Sequence, residues 1–283
     1  MILKQTRKKK KTKRTGKFIV LFLVVFLCFW YIQNFTFQIT ETTVPTEKVT
    51  EEITIVQISD LHGASYGNNN KRLVKAIKKQ NPDMICITGD MFTNGDTKSM
   101  DTALAFMVQL PSIASVFFVS GEHDRDEEYL TALSSAGITV MSYHKQSVNV
   151  RGNQIAVYGI DNAYYSDTFN LFYEFDKPSD EAFNLLLAHI PNFDAFNWFG
   201  PDLSLCGDTH GGVIQLPFAG PLYFNDRWLP ELTLEEEYIT DKGLFDTYTG
   251  HVYVSGGLGN YPYPIRMFNQ PELSVIKLIP KAG

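Results

Sequence analysis

Five short apolar runs in this chain each deliver a carboxylate or an imidazole at their C-terminal end, and few folds accommodate that repetition. Ile53 to Ile58 leads through Ser59 to Asp60-Leu61-His62, and Met84 to Thr88 leads to Gly89-Asp90. Val116 to Ser120 leads to Gly121-Glu122-His123-Asp124, and Leu185 to Ala188 leads to His189. Leu203 to Cys206 leads to Gly207-Asp208-Thr209-His210-Gly211-Gly212. Apolar, β-branched runs of this length read as buried strands. Side chains at i and i+2 of an extended segment point the same way, so Asp60 and His62 are expected to reach one metal ion together.

Helical segments separate the first strands. Residues 70–80 place Leu73, Val74 and Ile77 on one face, with Asn70 as the expected N-cap and Asn81-Pro82-Asp83 as the stop. Residues 97–110 and 127–136 form a second and a third helix, ended by Pro111 and Gly137. This β-α-β-α-β-α alternation predicts an α/β domain with a mainly parallel central sheet. From Ile138 the rhythm changes to short strands at 138–141, 147–150 and 155–160, and strands at 252–254 and 273–279 close the fold. Two aromatic, irregular stretches, 161–184 and 217–250, lie between them. Open α/β sheets hold their sites beyond the carboxyl ends of the strands, which is where the acids and histidines fall here.

Charge divides the chain unevenly. Nine of the 25 Lys and Arg residues lie in residues 1–17, leaving 16 against all 31 acidic residues, a balance of −15. So acidic a domain disfavours long nucleic-acid tracts as substrate. The basic tail runs into an uncharged, largely apolar stretch from Phe18 to Thr40, long enough to cross a bilayer. A basic flank on one side sets the tail in the cytoplasm and exports the rest. A cleaved signal peptide would need small residues after the apolar core, and Trp30-Tyr31-Ile32-Gln33-Asn34-Phe35 offers none. The expected organisation is a basic cytoplasmic tail (1–17), a transmembrane signal anchor (18–40), an exposed linker (41–52) and one domain (53–283). Three cysteines make no disulfide framework: Cys28 lies in the apolar stretch, and Cys86 and Cys206 read as small fillers of buried strands.

One Asp-x-His pair is weak evidence for a metal, since a lone His or Asp at a strand end is ordinarily a cap. Strand-end stations supplying His62, His123, His189 and His210 with Asp60, Asp90, Glu122 and Asp208 are not explained that way. His144 and His251 lie outside these stations and are read as ordinary surface or structural residues. The pattern resembles the calcineurin-like metallophosphoesterases, most closely their membrane-anchored bacterial branch (the YkuE/YaeI type). The resemblance rests on Asp60-Leu61-His62, Gly89-Asp90, Gly121-x-His123-Asp124, His189 and Gly207-x-Thr209-His210-Gly211-Gly212, and runs to an ending at Gly256-Gly257-Leu258-Gly259, Pro264-Ile265-Arg266 and Pro271-Glu272.

That resemblance implies a four-layer α/β/β/α sandwich preceded by one transmembrane helix, in a single-pass bacterial cell-membrane protein with its catalytic domain outside the cytoplasm. It implies two divalent ions bridged by Asp90, the first also held by Asp60, His62 and His210, the second by Glu122, His189 and Asp208. His123 would stand beside the phosphate as the catalytic residue, and Asp124 would either orient it or cap its turn. Two positions depart from the family, which ordinarily has Asn where Glu122 stands and His where Asp208 stands. Four metal-binding carboxylates against two divalent cations bring the formal site charge from +2 to 0. Oxygen ligands favour Mn²⁺ over softer choices, with Zn²⁺, Fe²⁺, Mg²⁺ and Ca²⁺ as alternatives. A less positive site favours a singly charged phosphodiester over a monoester dianion.

The expected function is therefore a membrane-anchored, extracytoplasmic phosphodiesterase. Its substrate would be a phosphoester on a lipid or an envelope-linked carrier, a choice suggested by the anchor and the aromatic stretches. The alternative is a catalytically degenerate module that uses the fold for binding, with an altered second metal site. Arg125, Arg227 and Arg266 are candidate phosphate contacts by position alone, with surface or ion-pair roles as the plainer assignment.

Overall fold

The computed structural model describes residues 3–161, 170–218, 220–224, 227–228 and 240–281, with the backbone path alone for 3–14, 223–224 and 227–228. In chain order the elements are α1 (Leu3–Phe35), β1 (Gln38–Thr46), β2 (Ile53–Ile58), α2 (Lys71–Gln80), β3 (Met84–Ile87), α3 (Thr97–Met107), β4 (Ser115–Phe118), α4 (Glu127–Ser135) and β5 (Thr139–Val140). They continue with β6 (His144–Val150), β7 (Asn153–Gly159), β8 (Phe183–Leu187), α5 (Phe193–Phe199), β9 (Leu203–Cys206), β10 (Gln215–Leu216), β11 (Gly220–Pro221), β12 (Tyr223–Phe224), β13 (Arg227–Trp228), β14 (Gly243–Asp246), β15 (His251–Val254) and β16 (Glu272–Pro280).

Alternation along the strands builds the layers. Ile53 and Ile55 of β2 join Met84, Cys86 and Phe117 on one face of a six-stranded sheet, ordered β1-β16-β2-β3-β4-β5. Across from them lie Ile155, Val157, Leu185, Leu187 and Leu205, on the inner face of a second sheet ordered β14-β15-β9-β8-β7-β6. Val56, Ile58, Ile85 and Phe118 face the other way, onto Leu73, Phe106 and Leu133 of α2, α3 and α4. Tyr158, Leu186 and Val254 face Phe196 and Phe199 of α5. The result is helices, sheet, sheet, helix: a mixed α/β sandwich with mainly parallel sheets. Gln57 ties the sheets together, its Nε2 donating to Thr88 Oγ1 (2.9 Å) and to the Cys206 carbonyl (2.8 Å). Cys86 and Cys206 are buried but occupy different cores, one between the sheets and one outside the second.

Three expectations need correction. The segment taken as the end of the anchor and a linker is a strand: α1 stops at Phe35, and Gln38–Thr46 pairs in parallel with Glu272–Pro280. Without it β16 would present a bare edge, and the Thr-rich segment satisfies that edge while burying Val44 in the inter-sheet core. Asn70 stands at the N-cap of α2, but with left-handed backbone and no capping bond. Its side chain instead accepts from the Tyr66 N–H (2.7 Å) and donates to Ala64. The helix α5 was not foreseen; its seven residues are capped by Asn192, which accepts from the Ala195 N–H, and stopped by Gly200 at φ 82°.

The α1 segment Thr15–Phe35 is long and apolar enough to be a candidate membrane span.

Candidate metal centre

All the strand-end stations meet at one end of the sandwich, but not through extended backbone. β2 ends at Ile58, and Asp60 and His62 both lie in the left-handed region (φ 51° and 45°), as do Asp90, Asp208 and His210 (54°, 73° and 50°). Asp and His tolerate that region better than branched residues, yet a cluster of such residues marks a strained, functionally constrained turn. The turns are held against one another: the Asp60, His62 and Gly63 amides donate to the carbonyls of Gly89, Asp90 and Met91 at 2.9–3.0 Å. Close approach explains two glycines here. A Cβ on Gly89 would fall 2.5 Å from the Gly121 amide nitrogen, and one on Gly121 would fall 2.1 Å from Asp90 Oδ1.

Three groupings of ligand atoms result: Asp60, His62 and His210; His62, Asp90 and His123; and Asp60, Asp90 and His189. Asp90 is common to two of them. Its Oδ2 lies 3.5 Å from His189 Nε2, 3.6 Å from His62 Nε2 and 3.9 Å from His123 Nε2, while His210 Nε2 is 3.9 Å from Asp60 Oδ1. Three of these four separations are beyond hydrogen-bond reach, and the fourth, His189 to Asp90, is at its long limit. Two ligands of one cation, each about 2.0–2.2 Å from it, lie roughly 3–3.5 Å apart. Asp60 Oδ2, His62 Nε2 and His189 Nε2 are buried with no hydrogen-bond partner among the described residues. Buried polar atoms in that condition are rare and call for an explanation, and a divalent cation supplies one. The donor set fits such an ion.

Tautomers and charge agree with that fit. His189 is wholly buried, and its Nδ1 lies 2.7 Å from the Thr88 carbonyl, which leaves the Nε2 lone pair for a cation. Burial alone would lower its pKa, but Asp90, Asp60 and Asp208 raise it to about 10. Burial raises Asp60 to about 7 and lowers His62 to about 4, and it holds His210 well below its ordinary value beside Arg266. For Asp90 the penalty of burial is outweighed by hydrogen bonding and charge from its histidines, which keep it below the usual carboxylate range. The cluster calls for positive charge at its centre, which a proton on His189 provides in the absence of metal.

A pH prediction follows. Because the folded pKa of His189 lies above the unfolded value near 6.5, its contribution is complete below that pH and is lost as pH rises toward 10. Asp60 and Asp124, each raised to about 7, have largely given up their protons by then. Metal-free protein is expected to lose stability between pH 7 and 9, by up to about 1.4 kcal/mol per pH unit from His189 with a smaller share from the two carboxyls near pH 7, and saturating Mn²⁺ to flatten that slope. Melts at pH 7, 8 and 9 in chelator should show it; a melting temperature that rises with pH in chelator would contradict it.

His123, a member of the second grouping, stands half-buried at the edge of the cluster. Its Nδ1 accepts from the Asn94 N–H (3.0 Å), so the neutral ring carries its proton on Nε2, the atom facing Asp90. Beside it opens a cavity of about 270 Å³ lined in part by Phe92, Asn94, Met100 and Arg125. Asp124 does not orient the ring: it is fully buried and accepts from the Met91 and Gly121 amides at 2.9 and 3.2 Å, a turn-fastening role. Asp208 stands at the rim, its Oδ1 3.7 Å from His189 Nε2 and its amide donating to Asp60 Oδ1 (3.0 Å). Glu122 is not brought in. Its side chain is exposed and belongs to none of the three groupings, and it reaches the site only as a nearby charge that, after burial and Asp90, helps raise the Asp208 carboxyl.

Of the three candidate arginines, Arg266 is 1% exposed and cannot meet a substrate. Arg125 lines the cavity, and the side chain of Arg227 lies outside the described residues. His251 pairs with Asp246 at 2.9 Å and His144 is exposed, both away from the cluster. Of the aromatic stretches, Tyr164, Tyr165 and Phe169 lie outside the described residues; Phe175 is core and Tyr173 is exposed. The residue missed is Tyr261, whose ring stacks on His62 (4.4 Å, 13°) and meets His123 edge-on (5.0 Å, 68°). The one signal for it was the Tyr-Pro-Tyr-Pro run directly after the glycine-rich turn.

Comparison with known proteins agrees with this geometry. The chain is 29% identical over 265 residues to an uncharacterized metallophosphoesterase, YkuE, of Bacillus subtilis, covering 88% of this chain and 87% of that one. It is 26% identical over 211 residues to the phosphodiesterase YaeI of Escherichia coli, covering 71% and 72%. A zebrafish transmembrane protein with a metallophosphoesterase domain is 25% identical over 265 residues, covering 85% of this chain and 57% of that one. Residues 53–212 match the calcineurin-like phosphoesterase family, a span that takes in every strand-end station from Asp60 to His210. With that match over more than half its length and a clustered His/Asp site at the expected strand ends, the chain belongs to the calcineurin-like metallophosphoesterases.

Proposed function

We propose that this protein is a membrane-anchored, extracytoplasmic phosphodiesterase with a binuclear metal centre. The observation that carries the reading is the set of orphaned ligand atoms around Asp90. One ion would be held by Asp60, His62, His210 and Asp90, the other by Asp90, His189 and Asp208, with Glu122 left at the surface; Mn²⁺ suits so oxygen-rich a set. Such a pair, when bound, lowers the pKa of water and neutralises phosphate oxygens. The chain's own residues do the rest. Asp90 Oδ1 accepts from the His123 amide (3.0 Å) and so ties the turns after β3 and β4 together. His123 holds a proton on Nε2 at the site's edge, where it can bond to a phosphoryl oxygen or reach a leaving group. Tyr261 packs on His62 and walls that edge. The apolar helix α1, basic on its N-terminal side, anchors the domain outside the cytoplasm, and a lipid-borne or envelope-linked diester is the substrate best matched to that position.

The exposure of Glu122 favours a second reading, in which the second ion is weak or absent and the fold only binds its ligand. One experiment separates the two. Full-length protein in detergent is loaded with Mn²⁺ or Zn²⁺, its metal is counted, and hydrolysis of bis(p-nitrophenyl) phosphate is followed on the same samples. Two ions per chain with turnover, lost by at least about 100-fold in His123→Ala, is the expected result. One ion or none, with activity appearing only in Glu122→Asn combined with Asp208→His, would establish the binding module.

A further inference from the structure

Residues 260–270 are fastened to the last turns of α1. Trp30 Nε1 donates to the Pro264 carbonyl (2.9 Å), and Gln33 Oε1 accepts from the Asn269 amide (3.1 Å). Asn34, 1% exposed, accepts from the Arg266 amide (2.9 Å) and donates to the Arg266 carbonyl (3.1 Å). The rings of Phe29 and Phe268 lie 5.3 Å apart. Depth along the helix then decides where this loop sits. Lys17 is the last charge before the apolar stretch, and at 1.5 Å per residue Phe29 stands only about 18 Å above it. A bilayer's hydrocarbon core is about 30 Å thick. A loop in contact with Phe29 and Trp30 therefore cannot stand off in water while α1 spans a membrane.

The loop is made for that depth. Tyr263, Ile265 and Phe268 are 66%, 48% and 53% exposed. The Trp30 N–H, the Gln33 side-chain oxygen and the Asn34 side-chain amide find partners in the loop's backbone, as groups near hydrocarbon must. Tyr and Trp at this level match the aromatic belt of membrane interfaces. On the opposite side the same loop lays Tyr261 on His62.

We propose that residues 261–268 form a membrane-seated surface: Tyr263, Ile265 and Phe268 lie at and just below the headgroup–acyl boundary of the bilayer that α1 crosses. The metal centre then opens at the level of the lipid phosphates. This rests on the reading of α1 as a retained span, and commits the occupant of the patch to membrane lipid.

Depth-dependent quenching tests it without any need for turnover, so a failure is separable from failure of the phosphodiesterase reading. In full-length Cys28→Ser protein, whose remaining cysteines are buried, single bimane labels are placed at Tyr263→Cys, Ile265→Cys, Val24→Cys and Tyr173→Cys. Val24 marks the span, and Tyr173, 82% exposed on the second sheet's side, marks water. The protein is reconstituted in phosphatidylcholine–phosphatidylglycerol vesicles carrying 5-doxyl lipid. Labels at 263 and 265 are expected to be quenched at least twofold more than the label at 173. Equal quenching at 263, 265 and 173, with 24 quenched, would overturn the seated loop. An unquenched label at 24 would overturn it together with the anchor.

Discussion

Replacing Asp90 with asparagine is expected to empty the site and reduce phosphodiester hydrolysis by at least about 1,000-fold, some 4 kcal/mol of transition-state stabilisation. The change is nearly isosteric, and Oδ1 can still accept from the His123 amide. What disappears is the charge on Oδ2, the one atom within 4 Å of three imidazole Nε2 atoms, on His62, His123 and His189. An amide nitrogen placed there would point a donor at the spot a cation is meant to occupy. Glu122→Gln makes the same chemical change at an exposed side chain outside the groupings, and is expected to cost less than about fivefold, as solvent-screened charges do. Metal content and turnover of the two variants, with circular dichroism to confirm the fold, give the comparison. Retained metal and activity in Asp90→Asn would remove the bridging role; a loss in Glu122→Gln as large as in Asp90→Asn would bring Glu122 into the site.

What the sequence disclosed and what it withheld have physical reasons. The strands around Ile55, Ile85, Phe117, Leu185 and Leu205 were legible because each is apolar on both faces, as a strand buried between layers must be. The histidines and aspartates were legible because they follow those strands. The backbone at those residues was not: Asp60 and His62 converge through left-handed turns set by contacts with Gly89 and Met91, some 30 residues away, rather than by extended alternation. β1 was hidden for a similar reason. Its Thr-rich, half-exposed sequence resembles a linker until the edge of β16, more than 200 residues later, is beside it. Tyr261 stands in a Tyr-Pro-Tyr-Pro run that marks a loop but not its destination; only tertiary structure lays it against His62.

Arg266→Met is expected to destabilise the protein by about 3–5 kcal/mol, the range for disrupting a buried, hydrogen-bonded charge site. The guanidinium is buried away from any ion-pair partner among the described residues. It donates instead to the carbonyls of Gly259 (3.0 Å), His210 (3.4 Å) and Asn269 (3.4 Å), and its Nη2 lies 3.3 Å from His210 Nδ1. Burial lowers its pKa to about 10, with Tyr66, Asp60 and Glu272 drawing it back up. Methionine fills much of the space but takes the Arg266 donor from the Gly259 and Asn269 carbonyls in the interior, each at about 1–3 kcal/mol, while the His210 carbonyl keeps its bond from Asn269. The melting temperature of the metal-free protein should drop by about 10 °C, while Arg72→Met, on the exposed face of α2, should change stability by under about 0.5 kcal/mol. Because Arg266 braces the turn that carries His210, and Asn269 donates to the His210 carbonyl (2.8 Å) beside it, metal affinity should also weaken by about 10–100-fold, as when a ligand's supporting partner is removed. A normal melt with weakened metal binding would make Arg266 a positioning residue alone; a normal melt with normal binding would refute its bracing role.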